Sequence, residues 1–379
     1  MRLLQICTDF RAGGIQRHVL DLSASLRGRG HCVFFAGTPG NWLNQSLDAA
    51  FLSLDLDAVA DPGGGLPRRL LHVFKAAARL RAFLTRERIE LIHAHESAPA
   101  LIAGVATIGL STPALVTYHG AEPERVAQFG RIARVVARRV ITPSHRGAAD
   151  LCRLGGVPAS KLRVIGLGVA AAPAVDEAVV RRLRDQLLGE GGQRLVVTVA
   201  RLAHQKAIDV LIEVARRTAM RDDRIRFVVV GDGPLRDDVL RWASEAAVER
   251  HLTFIGHSER PHDFLAAADL FLLTSRWEGL PIAIVEAFRA GLPVIATDAG
   301  GVRELVDDSV GKVVAIGDAE ALTEQVSTIC TDDALRARLA ANALARAGEE
   351  RFSPSYVHGI FERTYAEALG ETLPGETRV

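Results

Sequence analysis

The chain has 379 residues, of which 48% are hydrophobic and 24% are charged. This length exceeds what one hydrophobic core usually organises, so it favours two domains, and the composition excludes a disordered or fibrous protein. The apolar run that ends at Thr8-Asp9 is too short for a signal peptide or a membrane span, so we expect neither there. Four scattered cysteines without paired spacing indicate reduced, mostly buried thiols, and we expect a cytoplasmic protein.

The net charge of +1 is unevenly distributed along the chain. Residues 1–170 contain 21 Lys and Arg against 12 Asp and Glu, whereas the remainder contains 25 against 33. A basic half suits an anionic partner, such as a lipid surface or a phosphorylated acceptor, but the two halves could equally complement each other across a cleft. Both interpretations stay open, and neither includes a nucleic acid.

Short apolar runs alternate with helical patterns in the first half of the chain. The predicted strands are Leu3–Cys7, Cys32–Ala36, Leu91–His93, Ala114–Thr117, Val140–Thr142 and Leu162–Ile165. Apolar residues at helical spacing predict a helix over Gln16–Arg27. This alternation is typical of βαβ units, so we predict an α/β domain with a doubly wound parallel sheet over residues 1–170.

A second series of strands predicts another α/β domain over residues 171–352. Its strands are Leu195–Val199, Arg226–Val230, Leu252–Phe254, Leu270–Leu273, Val294–Ala296 and Lys312–Val314. The small residues around Ala170–Ala174 predict a linker within residues 166–190. A last helix near Tyr356–Leu369, within residues 353–379, is expected to pack back on the first domain.

Loops that follow the strands of the first half carry candidate residues, because ligands bind at the carboxyl ends of parallel strands. Gly13 and Gly14 follow the first strand, where backbone amides can approach a ligand phosphate. His119 ends another strand and could bond a sugar hydroxyl or assist the reacting centre, and a structural role stays open as the alternative. His93 and His95 have the residue types of a metal pair, but we expect them to point opposite ways and so disfavour a metal site.

Two further segments of the first half have simpler interpretations. Ser144 has no neighbouring base and is predicted to be a helix N-cap rather than a nucleophile. The basic helix between Arg125 and Arg139 has an apolar stripe that could contact an anionic membrane, but the stripe is more often core.

Two cations follow the first strand of the second domain. Arg201 and Lys206 lie at or just past the strand end, where a diphosphate would need a forked donor and a point charge. Alone, such a pair is more often two surface cations, so the assignment depends on the next motif.

That motif runs from Thr274 to Ala287. A strand ends, a glycine-containing loop follows, and Pro281 occupies the expected first position of a helix. The N–H groups around Gly279 and Leu280 would then offer a phosphate site. Glu278 and Glu286, eight residues apart, suit the hydroxyls at the two ends of a nucleotide sugar, since carboxylates accept such hydrogen bonds strongly.

Taken together, these residues resemble the retaining glycosyltransferases of family 4, which have the GT-B architecture of two facing Rossmann-like domains. The resemblance covers nearly the whole chain, and its specific part is Arg201, Lys206, Glu278 and Glu286. One departure is Ala207, where the family commonly has glycine.

The resemblance implies a set of roles. Arg201 and Lys206 would bind the diphosphate of a UDP- or GDP-sugar, Glu286 its ribose and Glu278 the transferred sugar, with His119 beside the reacting carbon. It also implies retention of configuration without a cofactor or a metal ion.

Retention raises the question of a nucleophile. No carboxylate at a strand end of the first half is an obvious candidate, so we expect a same-face substitution in which the leaving phosphate helps to deprotonate the acceptor. A saccharide or a lipid-diphosphate-linked saccharide is the expected acceptor, as in envelope or exopolysaccharide synthesis. A GT-B epimerase, a phosphorylase and a non-catalytic nucleotide-sugar-binding scaffold stay as alternatives.

Overall fold

The protein is described by a computed structural model that covers residues 1–11, 13–40, 50–60 and 65–371. The chain divides into two compact units. Unit 1 contains Met1–Gly168 and Pro354–Val379, and unit 2 contains Val169–Ser353. The C-terminal segment therefore belongs to the same compact unit as the N-terminal half.

Unit 1 is built on a parallel sheet. Its strands are β1 (Arg2–Asp9), β2 (Cys32–Thr38), β3 (Phe51–Ser53), β4 (Leu91–His95), β5 (Ala114–Thr117), β6 (Arg139–Thr142) and β7 (Leu162–Val164), in the spatial order β3-β2-β1-β4-β5-β6-β7. Its helices are α1 (Gly14–Gly28), α2 (Asp57–Ala60), α3 (Leu66–Arg86), α4 (Ser97–Ala106), α5 (Pro123–Val136), α6 (His145–Arg153) and, after unit 2, α14 (Pro354–Leu369). The paired strands run parallel, as the βαβ pattern predicts.

Unit 2 repeats this arrangement. Its strands are β8 (Arg194–Val199), β9 (Ile225–Val230), β10 (Leu252–Gly256), β11 (Leu270–Leu273), β12 (Val294–Thr297) and β13 (Gly311–Val314), in the order β10-β9-β8-β11-β12-β13. Its helices are α7 (Glu177–Leu188), α8 (Ile208–Arg221), α9 (Arg236–Glu245), α10 (Pro261–Ala267), α11 (Ile282–Arg289), α12 (Ala319–Thr331) and α13 (Asp333–Ala347). Both sheets thus have the strand order of a Rossmann fold, which confirms the predicted fold class.

The cores explain why the strands were visible in the sequence. Strands such as β9 and β11 are buried along their whole length, because helices cover both faces of a parallel sheet and such strands are nearly continuous apolar runs. In unit 1, one face of the sheet packs against α3, α4 and α5, and the other against α1 and α14. The face under α1 and α14 carries the polar residues described below.

The structure differs from the sequence prediction in one strand and in the linker. The strand β3 was not predicted, since this edge strand is only partly buried and ends in an exposed serine, so it lacks the continuous apolar run of the interior strands. The predicted linker at residues 166–190 contains helix α7, whose Val180, Leu183 and Leu187 pack against the core of unit 2. Among the residues that the structure describes, none of the helices combines the length and the apolarity needed to cross a membrane.

Candidate functional site

The carboxyl edge of the unit 2 sheet has a topological switch point between β8 and β11. These strands are neighbours, with Leu270 paired to Val196 and Phe271 to Val197. From β8 the chain continues to β9 on one side of the pair, whereas from β11 it continues to β12 on the other side. A crevice opens at such a point, and ligands of open α/β sheets bind there. The two loops at this edge are those that carry Lys206 and Glu278.

Hydrogen bonds join these two loops. The Thr274 hydroxyl donates to the carbonyl of Lys206 over 2.9 Å, and the Gln205 amide donates to the carbonyl of Trp277 over 2.9 Å. In return, the backbone N–H of Arg276 donates to the carbonyl of Gln205 over 2.7 Å. The loops therefore act as one frame, and each holds the functional side chain of the other in position.

Lys206 and Glu278 form an ion pair inside this frame. The Lys206 Nζ lies 2.5 Å from Glu278 Oε1, and the two side chains are 18% and 6% exposed. The Ser275 hydroxyl donates to the same oxygen over 2.6 Å, whereas among the described residues Oε2 receives only a long contact of 3.4 Å, from the Gln205 amide. Glu278 is thus a buried, fixed carboxylate rather than a solvated helix cap, and Oε2 keeps room for a further donor.

The backbone after Lys206 explains a departure from the family pattern. Lys206 closes a short 3₁₀ turn, His204–Lys206, and Ala207 then adopts the left-handed conformation with φ 49° and ψ 51°. Glycine reaches this region without steric cost, which accounts for its common use there. The alanine keeps the same turn at the expense of some strain.

The other two residues predicted to bind the nucleotide sugar are Arg201 and Glu286. Arg201 lies on the same loop as Lys206, and Glu286 lies on the helix that follows the Glu278 loop. Arg201 is exposed on the β8–α8 loop, and in the described part of the chain no ion pair engages it. Glu286 is half-buried on α11, where its charge acts on Arg289 three residues further along. The structure thus joins Lys206 and Glu278 directly and places Arg201 and Glu286 on flanking segments.

The N-terminus of α11 differs slightly from its prediction. The helix begins at Ile282, one residue later than predicted, and Pro281 is its extended N-cap at φ −74° and ψ 110°. Within the described residues, no protein group accepts a hydrogen bond from the backbone N–H of Gly279 or Leu280. These amides and the helix dipole are suited to an anion.

The loops after β8, β9 and β10 meet beside this position. The Gly231 N–H donates to the carbonyl of Gly256 over 2.8 Å, and the N–H of Ala200 donates to the carbonyl of Val230 over 3.0 Å. Gly231 and Gly256 have φ of 145° and 81°, and a Cβ on Gly231 would collide with the Ala200 carbonyl. Gly231 is therefore required by the close approach of the loops, whereas Gly256 is favoured by its left-handed backbone.

In unit 1, His119 follows β5 at the carboxyl edge. Its ring is half-buried, and its Nε2 lies 2.9 Å from His95 Nδ1. Burial lowers the pKa of His119 to about 4, since an apolar surrounding disfavours the charged imidazolium. The ring is therefore neutral near pH 7, and it can accept or donate a hydrogen bond without carrying charge.

The prediction that His93 and His95 point opposite ways is wrong. Their ring centroids are 4.1 Å apart, because residues two apart in a strand share a face. His93 contacts Tyr365 Oη and Thr117 Oγ1 at 2.7 and 2.6 Å. In the described ranges no group of three or more His, Cys, Asp or Glu is arranged to hold a metal ion.

Sequence analysis also missed two carboxylates at strand ends of unit 1. Asp9 is the last residue of β1, and Glu96 directly follows β4, so both lie at the switch point of this sheet. The Thr8 hydroxyl donates to Glu96 Oε2 over 2.8 Å. Glu96 has φ 75° and ψ 176°, a region almost restricted to glycine, and such strain clusters at functional sites. The available signal was an acidic residue at the end of each predicted strand, after Thr8 and after His95.

Two smaller predictions concern residues at the starts of helices in unit 1. Ser144 is a helix N-cap, as predicted, and accepts from the N–H of Gly147 over 3.1 Å. Gly13 is the N-cap of α1, and a Cβ at Gly14 would meet open space, so a ligand could approach the backbone there.

Two of the four cysteines, Cys32 and Cys152, are exposed, which corrects the expectation of mostly buried thiols.

The apolar stripe of the basic helix α5 belongs to the core. Val126, Phe129 and Ala133 are buried in unit 1. This decides between the two interpretations of that stripe in favour of packing.

Two units that both have the Rossmann strand order define the GT-B class of folds. The model of glycosyl transferases group 1 matches residues 179–346, and that of glycosyltransferase family 4 matches residues 12–172. Together they account for most of the chain. The protein therefore belongs to the family 4 glycosyltransferases.

Individual relatives agree with this assignment. The chain is 29% identical to the putative teichuronic acid biosynthesis glycosyltransferase of Bacillus subtilis, over 66% of this chain and 64% of that protein, slightly less than two thirds of its length. It is 27% identical to the UDP-Gal:alpha-D-GlcNAc-diphosphoundecaprenol alpha-1,3-galactosyltransferase of Escherichia coli, over 70% and 73% of the two chains. The crystal structure of Anabaena HepE in complex with UDP and glucose has a TM-score of 0.81 at 22% identity, covers 97% and 99% of the two chains, and shares the fold.

Proposed function

We propose that the protein is a retaining glycosyltransferase that transfers a hexose-type sugar from a nucleoside diphosphate sugar to a saccharide or lipid-diphosphate-linked acceptor. The observation that carries this proposal is the buried Lys206–Glu278 pair at the switch point between β8 and β11. Such a pair offers one charge for a diphosphate and one carboxylate for a sugar within the same frame. The name of the E. coli relative contains a UDP-sugar and a polyprenyl diphosphate acceptor, which supports the same class of substrates.

The diphosphate of the donor is held by Lys206, Arg201 and the amides of Gly279 and Leu280. Arg201 is exposed beside the frame and supplies a forked donor. Lys206 supplies a point charge, and the α11 N-terminus supplies oriented dipoles. These groups neutralise the departing nucleoside diphosphate without a metal ion or another cofactor.

The two carboxylates hold the two ends of the donor. Glu278 accepts from a hydroxyl of the transferred sugar through Oε2, since Oε1 is already occupied by Lys206 and Ser275. Glu286 accepts from the ribose hydroxyls. The base, uracil or guanine, lies against the backbone at Gly256, where the absence of a side chain permits close approach.

The chemical step is a same-face substitution. The acceptor hydroxyl attacks the anomeric carbon on the side that the diphosphate leaves, and the leaving phosphate takes the acceptor proton. His119 contacts the sugar beside the reacting carbon. Asp9 and Glu96, at the switch point of unit 1, are the carboxylates from which a covalent intermediate would have to form in a double displacement.

Ligand-induced stabilisation tests the donor assignment. We expect a UDP-sugar or a GDP-sugar to raise the Tm of the full chain, since a ligand that binds only the folded state stabilises it. Lys206→Ala and Glu286→Ala should each reduce that shift and sugar transfer, while Lys312→Ala, a lysine of the same unit paired with Asp308, should retain both. Unchanged transfer in Lys206→Ala and Glu286→Ala would refute the donor site.

The stereochemistry of the product tests the mechanism. The anomeric proton of the first-formed product should have the configuration of the donor, measured by NMR before any mutarotation. A covalent glycosyl-enzyme trapped on Asp9 or Glu96 would exclude the same-face substitution. Formation of a new nucleotide sugar without acceptor would instead indicate an epimerase.

The acceptor is reached at the cytoplasmic face of an anionic membrane, with α3 as the contact surface. This helix carries six Lys and Arg and no Asp or Glu. Its Leu70, Leu71 and Phe74 are 46%, 52% and 61% exposed, and Lys75 and Arg79 lie exposed among them. Basic residues beside exposed apolar ones suit binding to anionic headgroups.

Vesicle flotation tests this surface. Binding to vesicles with anionic phospholipid should exceed binding to neutral vesicles and should weaken with salt. Leu71→Ser with Phe74→Ser should abolish flotation, whereas Ile108→Ser, which replaces a side chain that is 70% exposed elsewhere on unit 1, should not. Equal flotation of both variants, together with full activity on soluble sugars, would rule out α3 as the contact.

A further inference from the structure

A row of buried polar side chains lies on the face of the unit 1 sheet that α1 and α14 cover. It comprises Gln5 on β1, His93 and His95 on β4, Thr117 on β5 and Tyr365 on α14, and we call it the polar row. Each of these residues is at most 2% exposed. A buried polar group is costly unless it is hydrogen-bonded, and apolar side chains would have filled the same face at lower cost. Packing alone does not explain the row.

The row leads to His119 through a continuous series of hydrogen bonds. His119 Nε2 lies 2.9 Å from His95 Nδ1, and His95 Nε2 lies 2.9 Å from Gln5 Oε1. Gln5 Nε2 donates to Tyr365 Oη over 3.4 Å. The polar row therefore ends on a ring nitrogen of the residue that the proposed function places beside the sugar.

The chemistry of Gln5 determines which nitrogen of each ring carries a proton. An amide oxygen only accepts, so His95 must donate from Nε2, and in a neutral ring its Nδ1 is then an acceptor. His119 must therefore donate from Nε2 to that acceptor, which leaves its Nδ1 without a proton. Both rings are neutral, because burial lowers the pKa of His95 and that of His119. In the part of the chain that the structure describes, no group bonds to His119 Nδ1.

We propose that His95, Gln5 and Tyr365 are positioning residues that hold His119 as the Nε2–H tautomer, so that its Nδ1 accepts a hydrogen bond from a substrate hydroxyl. This inference rests on the proposed function for the identity of that substrate. The tautomer itself follows from the orientation of the Gln5 amide, whose Oε1 faces His95, and does not depend on the substrate. A neutral acceptor at this position can orient a hydroxyl without attracting the diphosphate.

Tyr365 is the second partner of the Gln5 amide. If the Gln5 amide turned over, its NH₂ would face His95, and the proton would move to Nδ1 in both rings. In the orientation that the structure shows, Gln5 Nε2 donates to Tyr365 Oη, which lies 2.7 Å from His93 Nδ1, and His93 Nε2 lies 2.6 Å from Thr117 Oγ1. Without the Tyr365 hydroxyl, Gln5 Nε2 loses this acceptor. Removal of one hydroxyl on α14 should therefore change the proton position on His119.

Nitrogen-15 NMR of the histidine rings in the full chain tests the tautomer without any substrate. We expect His119 to be protonated on Nε2 in the unaltered protein, with the signal assigned by its loss in His119→Asn. Tyr365→Phe should give a mixture of both tautomers, whereas Tyr356→Phe, on the same helix and 41% exposed, should leave the spectrum unchanged. A proton on Nδ1 in the unaltered protein, or an unchanged His119 signal in Tyr365→Phe, would overturn the proposal.

A double-mutant cycle separates positioning from a structural role. Tyr365→Phe should lower kcat roughly tenfold with little change in the KM for the donor, since the ring remains but presents the wrong tautomer part of the time. Asparagine at position 119 places an amide near the former Nδ1 but does not reach His95, so Tyr365→Phe should cost nothing further in His119→Asn. An equal loss in both backgrounds would show that Tyr365 is structural only. If the protein transferred no sugar at all, the proposed function would fail, and the NMR result would still decide the tautomer.

Discussion

The two units have the same strand order but different chemistry around their switch points. In unit 2 the switch point carries an ion pair, with Lys206 and Glu278 joined between the loops after β8 and β11. In unit 1 the switch point carries the carboxylates Asp9 and Glu96, and the buried imidazoles on the same sheet are neutral, since burial lowers the pKa of His93 to about 3 and that of His119 to about 4. One fold therefore carries two kinds of polar site, which we propose to serve a diphosphate in unit 2 and a sugar hydroxyl in unit 1.

The largest effect on activity is expected when the charge of Lys206 is removed from unit 2. Lys206→Ala should reduce kcat/KM by about 10²- to 10³-fold, since it removes a group that stabilises the leaving diphosphate. The UDP affinity, measured by calorimetry, should fall as well. Lys312→Ala is the control, because Lys312 lies on β13 of the same unit. Normal UDP affinity in Lys206→Ala would place the diphosphate elsewhere.

Acid should destabilise the protein through the neutral histidines of unit 1. Burial is the main cause that lowers the pKa of His18, His93, His95 and His119 in the folded protein, while in the unfolded chain each is about 6.5. The unfolded state therefore binds more protons below that value, so stability is complete above pH 6.5 or so and falls as pH decreases towards 4.

This dependence can be measured by denaturant unfolding of the full chain. Since one pKa unit corresponds to about 1.4 kcal/mol, His119 alone should account for a loss on the order of 3 kcal/mol across that range. A variant without this titration, His119→Asn, should show a shallower slope between pH 4 and 6.5. A flat profile in the unaltered protein would mean that these rings are accessible to protons in the folded state.

Loss of the His119 imidazole should lower the rate of sugar transfer without changing the affinity for UDP. His119→Ala should lower kcat by about 10²-fold, the effect typical of a group that assists a reacting centre. Because the side chains proposed for UDP all lie in unit 2, the UDP affinity should be unchanged, unlike in Lys206→Ala. His257→Ala removes an exposed imidazole and serves as the control. A weakened UDP affinity in His119→Ala would contradict this division of roles.

The sequence predicted individual elements well where the physics is local. Buried parallel strands are continuous apolar runs, so β5 and β11 were found with their exact ends. Helix α7 was missed because a run of small residues at Ala170–Ala174 hid the amphipathic pattern that follows it. The strained Glu96 depends on its position between β4 and α4, which no local pattern expresses.

The contacts within each site depend on topology and could not be derived from spacing. Lys206 and Glu278 were each predicted at a strand end, but their pairing requires that β8 and β11 be neighbours across 72 residues of sequence. The contact of His93 with Tyr365 spans 272 residues. Here the resemblance to a family supplied the candidate residues, and only the fold supplied their geometry.

The smallest effect is expected at the ribose. Glu286→Gln keeps the size of the side chain but removes the charge that strengthens a hydrogen bond, so kcat/KM should fall roughly tenfold. The loss should become smaller when the donor is a 2′-deoxyribose analogue, because the analogue lacks one of the two hydroxyls that Glu286 is proposed to bind. Glu324→Gln, on an exposed position of α12, should leave both donors unaffected. If Glu286→Gln penalised the ribose and deoxyribose donors equally, the carboxylate would act on α11 and its neighbour Arg289 rather than on the nucleotide.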